Sequence, residues 1–225
     1  MNNLFRRTLT GAFIVVFTLG GFWLHPVSFL LTGFIILAGT MYEYYLMIRS
    51  TGVKPQAVPG ILLGISVYVL SSLVAAGLLE TRMLLIIIPV ITVVMVAELY
   101  RHQEKPFDSL AHTFFPLVYL ALPVSLIPFS AFTREGLPSI LPHGNLIFSP
   151  GIIIGFFIIL WVNDTGAYLA GTAFGKHRLM ERISPKKSWE GFIGGLVLSA
   201  LAALLLSGWL GVGSRNKWLI ISFII

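Results

Sequence analysis

Runs of apolar residues about 20 long recur along this chain, separated by short charged links, and that spacing leaves few folds open. A helix rising 1.5 Å per residue needs roughly 20 apolar residues to cover the hydrocarbon core of a bilayer. Hydrocarbon cannot satisfy free backbone groups, so such runs cross as helices. They cover about residues 9–24, 27–48, 59–79, 83–100, 110–129, 151–168 (or to 173) and 191–210. Residues 218–225 open another. The expectation is an all-α fold: a polytopic transmembrane helix bundle of seven full spans plus the start of an eighth. With no long linker and no internal repeat, residues 1–225 read as a single integral membrane domain. Composition agrees, since only 11% of residues are charged and 56% hydrophobic, against about 25% charged in soluble domains. The start, MNNLFRRTLTGAFIVVF, has the charged head and apolar centre of a signal peptide. It lacks a small-residue cleavage site, so an uncleaved first span is expected.

Lys and Arg set the orientation. Eleven of the 15 fall in alternate links: Arg6 and Arg7, Arg49 and Lys54, Arg101 and Lys105, then Lys176, Arg178, Arg182, Lys186 and Lys187. The other links hold only Arg82, Arg134, Arg215 and Lys217. The positive-inside rule then places the N-terminus and the five-cation link in the cytoplasm. The net charge of +6 thus reads as membrane topology, and no nucleic-acid partner is expected. Without cysteine, neither a disulfide nor a thiolate metal site can form.

Three acids sit inside apolar runs: Glu43, Glu98 and Asp164. An ionisable residue costs about 2.5–3.5 kcal/mol at a span centre, so it turns toward a cavity or a partner. All three could line one cavity open to the cytoplasm. Glu98 has a simpler reading, as an interfacial residue paired with Arg101. Glu43, between tyrosines, fits either role. Asp164 points to function, because Asn163, Thr165 and Gly166 beside it make a polar patch in mid-span. Pro116, Pro123 and Pro128 should kink the fifth span.

The densest stretch is WVNDTGAYLAGTAFGKHRLMERISPKKSWEGFIGG, residues 161–195. Its five cations would attract a polyphosphate or anionic headgroups, although a loop that only anchors topology has the same composition. Residue order favours the phosphate reading. Pro185 stiffens the turn, Ser188 is placed to cap the next helix, and Glu190 falls in that helix's first turn. Phosphates favour the same helix end. GTAFGKH is not a P-loop: Gly171 and Gly175 are one residue too close, and His177 stands where Ser or Thr belongs. One acid able to hold a hard cation, beside cations able to bind phosphate, suits phosphoryl or nucleotidyl transfer.

At these residues the chain resembles the phosphatidate cytidylyltransferases. Asp164, Gly166, Ala167, Tyr168, Gly171, Phe174, Gly175 and Lys176, followed by the run from Ser184 to Gly191, match that family's motif. The resemblance implies transfer of CMP from CTP to phosphatidic acid with Mg²⁺, in phospholipid biosynthesis at a bacterial inner membrane. It implies Asp164, Lys186 and Lys187 as catalytic residues, with Asp164 also on the metal. Substrate contacts would come from Asn163, Tyr168, Gly171, Gly175, Lys176, Arg182, Ser184, Ser188, Trp189, Glu190 and Gly191. The family's further C-terminal signature, with Lys-Asp, Gly-His-Gly-Gly and Asp-Arg-x-Asp elements, does not occur in these 225 residues. A C-terminally truncated member is the expectation. The sequence leaves a homodimer open. The rival readings are an enzyme acting on another phosphorylated lipid, and a non-catalytic lipid-binding membrane protein or transporter.

Overall fold

The computed structural model describes residues 3–134, 137–138, 146–182, 184–210 and 214–224. Pro142, in the long link before the sixth run, lies outside them. The chain divides into two compact units, Met1–Ser149 and Pro150–Ile225.

In the first unit, α1 (Asn3–Leu24) and α2 (Pro26–Ser50) meet at a one-residue turn. His25 makes it: its Nδ1 accepts from the Val27 N–H at 3.2 Å, while its own N–H donates to the Ser28 hydroxyl at 3.1 Å. Pro26 starts α2, where a missing donor costs nothing. Next come α3 (Ala57–Ala75), a 3₁₀ turn (Thr81–Ile86) running into α4 (Ile87–Leu99), and α5 (Pro106–Pro116). A π turn (Leu117–Ala121) joins α5 to α6 (Leu122–Ala131). Where the prolines led to the expectation of a kink, the helix changes type. Pro116 and Pro123 carry no backbone donor, and between them the ladder shifts register, with the Leu122 N–H reaching the Leu117 carbonyl.

Leu37, Met41, Tyr45, Ala57, Tyr68 and Ala121 form the unit's buried core. Two tyrosine hydroxyls cross-link it. Tyr45 donates to the Thr113 carbonyl at 2.8 Å, tying α2 to α5, and Tyr68 donates to the Leu30 carbonyl at 2.8 Å, tying α3 to α2. Tyr45 needs Gly60, because its ring lies where a side chain at that position would begin.

Glu98 is buried at the end of α4, where one of its carboxylate oxygens enters a polar knot. Its Oε2 accepts from Arg101 at 2.8 Å and from the Gln56 amide at 2.7 Å. Arg101 also donates to the Lys54 carbonyl and the Ser109 hydroxyl. The pairing with Arg101 read from sequence is therefore present. Glu43 is exposed on α2.

Three short strands that the sequence reading lacked close the unit: β1 (Phe132–Arg134), β2 (Leu137–Pro138) and β3 (Leu146–Phe148), with β1 central and antiparallel to both neighbours. Phe132 and Phe148 face each other across β1 and β3, and Phe29 packs edge-on against both.

The second unit is α7 (Gly151–Phe174), a hairpin of β4 (Arg178–Met180) and β5 (Ser184–Ser188), α8 (Trp189–Trp209) and α9 (Arg215–Ile224). Ile159, Ala203, Leu206 and Trp218 form its core.

Among the described residues, six helical runs are long and apolar enough to cross a membrane: α2, α3, Thr81–Leu99, Pro106–Ala131, α7 and α8. The apolar part of α1, Leu9–Leu24, is shorter than these. The protein is an integral membrane protein with a helical, polytopic fold. Removing one partner of a buried charged pair costs about 3–5 kcal/mol. Arg101 keeps some solvent contact, so Glu98→Ala should fall at the lower end of that range. The check is thermal unfolding in detergent, with Glu43→Ala, an exposed acid of the same unit, melting as the parent does.

Candidate functional site

The site is built on the seam between α7 and α8, where small residues bring two backbones close. A side chain at Gly195 would meet Asn163, one at Gly191 would fall 2.8 Å from the Ala167 carbonyl oxygen, and one at Gly194 would collide with Ala170. Packing of this kind between spans depends on van der Waals contact, which small residues permit.

At the end of the seam the chain turns through Gly175 into the hairpin. The five-cation link expected as a loop is an antiparallel pair, with Arg178 opposite Ser188 and Met180 opposite Ser184. SPKKS lacks the alternation that marks a strand, and Pro185 sits within β5, a position only an edge strand tolerates. Lys176, Arg178, Arg182, Lys186 and Lys187 are all exposed on or beside it. Lys186 and Lys187 lie between the two paired positions of β5, where the register of the ladder shifts.

Three contacts fasten the hairpin base. The Trp189 N–H donates to the His177 carbonyl at 3.0 Å. Ser188 caps α8 as expected, its hydroxyl accepting from the Gly191 N–H at 3.2 Å. Glu190 lies in the first turn of α8, where it accepts from His177 Nδ1 at 2.7 Å and from the His177 N–H at 3.2 and 3.3 Å. Two first-turn donors of α8 are thus taken from within the chain.

A helix turns about 100° per residue. Asp164, Tyr168, Gly171 and Gly175 therefore share one face of α7, and the Ser188 hydroxyl stands over its end, close to both glycines. Asp164 and Tyr168 are exposed on that face. Asp164 lies roughly 10 Å along the axis from Gly171, at 1.5 Å per residue. Asn163 points into the seam at Gly195. On the other flank, Gly166, Leu169, Ala170, Ala173, Ile193 and Leu198 line an apolar groove of about 790 Å³. Glu190, read from sequence as a substrate contact, also lines this groove, whereas Asp164 and Tyr168 do not. A second hollow of about 730 Å³ lies on the hairpin, lined by Lys176, His177, Arg178, Leu179, Glu181 and Trp189. Sequence reading had used His177 only as an argument against a P-loop. Its structural partner lies 13 residues on, and no spacing rule links the two.

Among the described residues, no three His, Asp or Glu side chains gather into a metal cluster. Asp164 offers one carboxylate. That suits a Mg²⁺ ion held mainly by substrate phosphates and water, which is how such ions usually bind.

Helical spans, a seam of small residues and an exposed cationic hairpin define a polytopic helical membrane protein. Residues 5–225 match the Cytidylyltransferase family, and the chain belongs to it. Curated relatives include the phosphatidate cytidylyltransferase of Haemophilus influenzae, 43% identical over 68 residues, which is 29% of this chain and 24% of that protein. Those of Staphylococcus haemolyticus and Staphylococcus aureus (strain COL) are 41% and 44% identical over 69 residues, 31% of this chain and 26% of theirs. The match thus spans about a quarter of each relative's length. No solved structure matches.

The seam makes opposite demands at two glycines of α8. Alanine in an open helix is favoured over glycine by about 1 kcal/mol. Gly208 has nothing within 4 Å of an added methyl group, so Gly208→Ala should raise the unfolding temperature. At Gly191 the methyl would meet a backbone oxygen, and overpacking of about 1–3 kcal/mol cancels or reverses the gain. Thermal unfolding of the two variants side by side tests the seam.

Proposed function

We propose that this chain is a membrane nucleotidyltransferase of phospholipid biosynthesis. It moves CMP from CTP to phosphatidic acid and gives CDP-diacylglycerol and pyrophosphate. The supporting observation is that Ser188, at the base of the cationic hairpin, lies against the end of the α7 face that also carries Asp164, in a chain whose family is that of the cytidylyltransferases. The names of the curated relatives favour phosphatidate as the acceptor.

Phosphatidate would stay in the bilayer with its headgroup at Lys186, Lys187 and Arg182. The triphosphate of CTP would lie by Lys176 and the Gly171–Gly175 turn. A phosphatidate oxygen attacks the α-phosphorus of CTP, the new P–O bond forms, and the α–β bridging bond breaks with its electrons leaving on pyrophosphate. The chain's contribution is positioning and charge neutralisation, the main requirements of such transfers. Mg²⁺, with Asp164 as its carboxylate ligand, would neutralise charge on the triphosphate. We place the protein in a bacterial inner membrane with the N-terminus and hairpin cytoplasmic, on the distribution of Lys and Arg.

The test is incorporation of labelled CTP into lipid by the full chain in vesicles. Loss of a group that stabilises developing charge costs about 10²–10³ in rate, and Asp164→Asn should fall in that range. Lys187→Ala should lose about tenfold, the effect of roughly 1.4 kcal/mol. Parent-like rates in both variants would remove this site. A panel with polyisoprenyl phosphate separates phosphatidate from another phosphorylated lipid. Intact lipid binding with no incorporation of label would leave a binding protein or transporter.

A further inference from the structure

His177 makes its contacts with one edge of its ring. Nδ1 lies 2.7 Å from Glu190 Oε1, and the backbone N–H of the same residue reaches the same carboxylate. An ionised carboxylate only accepts, so Nδ1 carries the proton of that bond. The partner of one ring nitrogen sets what the other can do. Nε2 has no partner among the described residues, and the side chain is 79% exposed. The ring lines the hairpin hollow together with Lys176, Arg178 and Trp189.

Fixing the hairpin would take less than this. The Trp189 N–H already holds the His177 carbonyl, the two strands pair, and Ser188 caps α8. The Glu190 contact adds orientation of an imidazole, and it does so at the rim of a hollow lined by two cations, Lys176 and Arg178, and one acid, Glu181. Glu190 would also repel a phosphate if it stood bare at this point. With the His177 donors on it, its charge is partly compensated.

We propose that His177 is a phosphate-contacting residue, held by Glu190 so that Nε2 faces an anion subsite shared with Lys176 and Arg178. The ligand is a phosphate group, from the triphosphate of a nucleotide or from the phosphomonoester headgroup of a lipid. The proposal deepens the reading above, since both sources are substrates named there. Nε2 accepts from a protonated phosphate oxygen, or donates to an ionised one when the ring is charged. Glu190 is a positioning residue that acts through the ring.

Asparagine separates contact from scaffold. Its side-chain amide nitrogen can take the place of Nδ1 and keep the bond to Glu190, but it has nothing in place of Nε2. The experiment uses the full chain in detergent micelles, as parent, His177→Asn and His177→Ala. Equilibrium binding is measured with labelled CTP and, separately, with labelled dihexanoyl phosphatidate. Tryptic cleavage within the hairpin, after Lys176, Arg178 or Arg182, reports its order without any turnover.

His177→Asn should resist trypsin as the parent does and yet bind one probe at least about fivefold more weakly, the effect of roughly 1 kcal/mol. A loss confined to CTP assigns the subsite to the nucleotide, and one confined to phosphatidate assigns it to the headgroup. His177→Ala should lose affinity and also be cut faster. Parent-like affinity of His177→Asn for both probes overturns the proposal. So does a parent that binds neither probe, or a His177→Asn hairpin cut as fast as that of His177→Ala, since a loosened hairpin then explains the loss. Turnover measured in parallel keeps the two claims apart. A binding loss in His177→Asn with no turnover in the parent sinks the transferase reading and leaves the phosphate contact standing.

Discussion

Hydrocarbon offers no hydrogen bonds, and that constraint shapes nearly every polar group in the spans. Hydroxyls along the helices fold back on their own backbone: Thr40 onto the Ile36 carbonyl, Ser66 onto Leu62, Thr92 onto Ile88 and Thr165 onto Trp161. Tyr45 and Tyr68 instead reach carbonyls of neighbouring helices, so the same need for a partner becomes a cross-link. Glu98 meets the need with a guanidinium and an amide at the end of its helix. Asp164 and Glu43, the other two acids of the apolar runs, are exposed on their helices and, among the described residues, make no hydrogen bond or ion pair.

Helix positions were legible because the bilayer turns hydrophobicity into length. The runs at 27–48, 59–79 and 191–210 lie within or close to α2, α3 and α8. The Ser188 cap and the first-turn place of Glu190 were also readable, because capping is a local rule of residue type and offset. The strands were not. Phe132–Arg134 and Leu146–Phe148 are three residues each, too short to show a period, and are held by an aromatic cluster with Phe29 from a distant helix. The bond between His177 and Glu190 was hidden for a similar reason, since hairpin closure brings the two together and no helical spacing does.

The site was legible in its parts and less so in its arrangement. Asp164, Tyr168, Gly171 and Gly175 could have been placed on one face by counting residues around a helix. That the hairpin base stands over this same face, while the flank beyond the seam is apolar, needed the packing of α7 on α8. Glu190 entered as a residue suited to a helix dipole and a substrate contact. Its observed partner is a histidine, whose ring and backbone N–H both donate to the carboxylate.

The π turn between α5 and α6 has a consequence for how this span is indexed. Each residue adds about 100° of azimuth in a regular helix. A stretch bonded five residues back therefore shifts everything after it out of phase with everything before. The buried side chains Thr113 and Pro116 before the turn, and Ser125 and Pro128 after it, belong to two separate helical phases. A single-residue insertion or deletion within 117–121 would thus rotate α6 as a body. Span length and span facing are two independent quantities in this molecule, and the prolines on either side of the turn are where the second one is set.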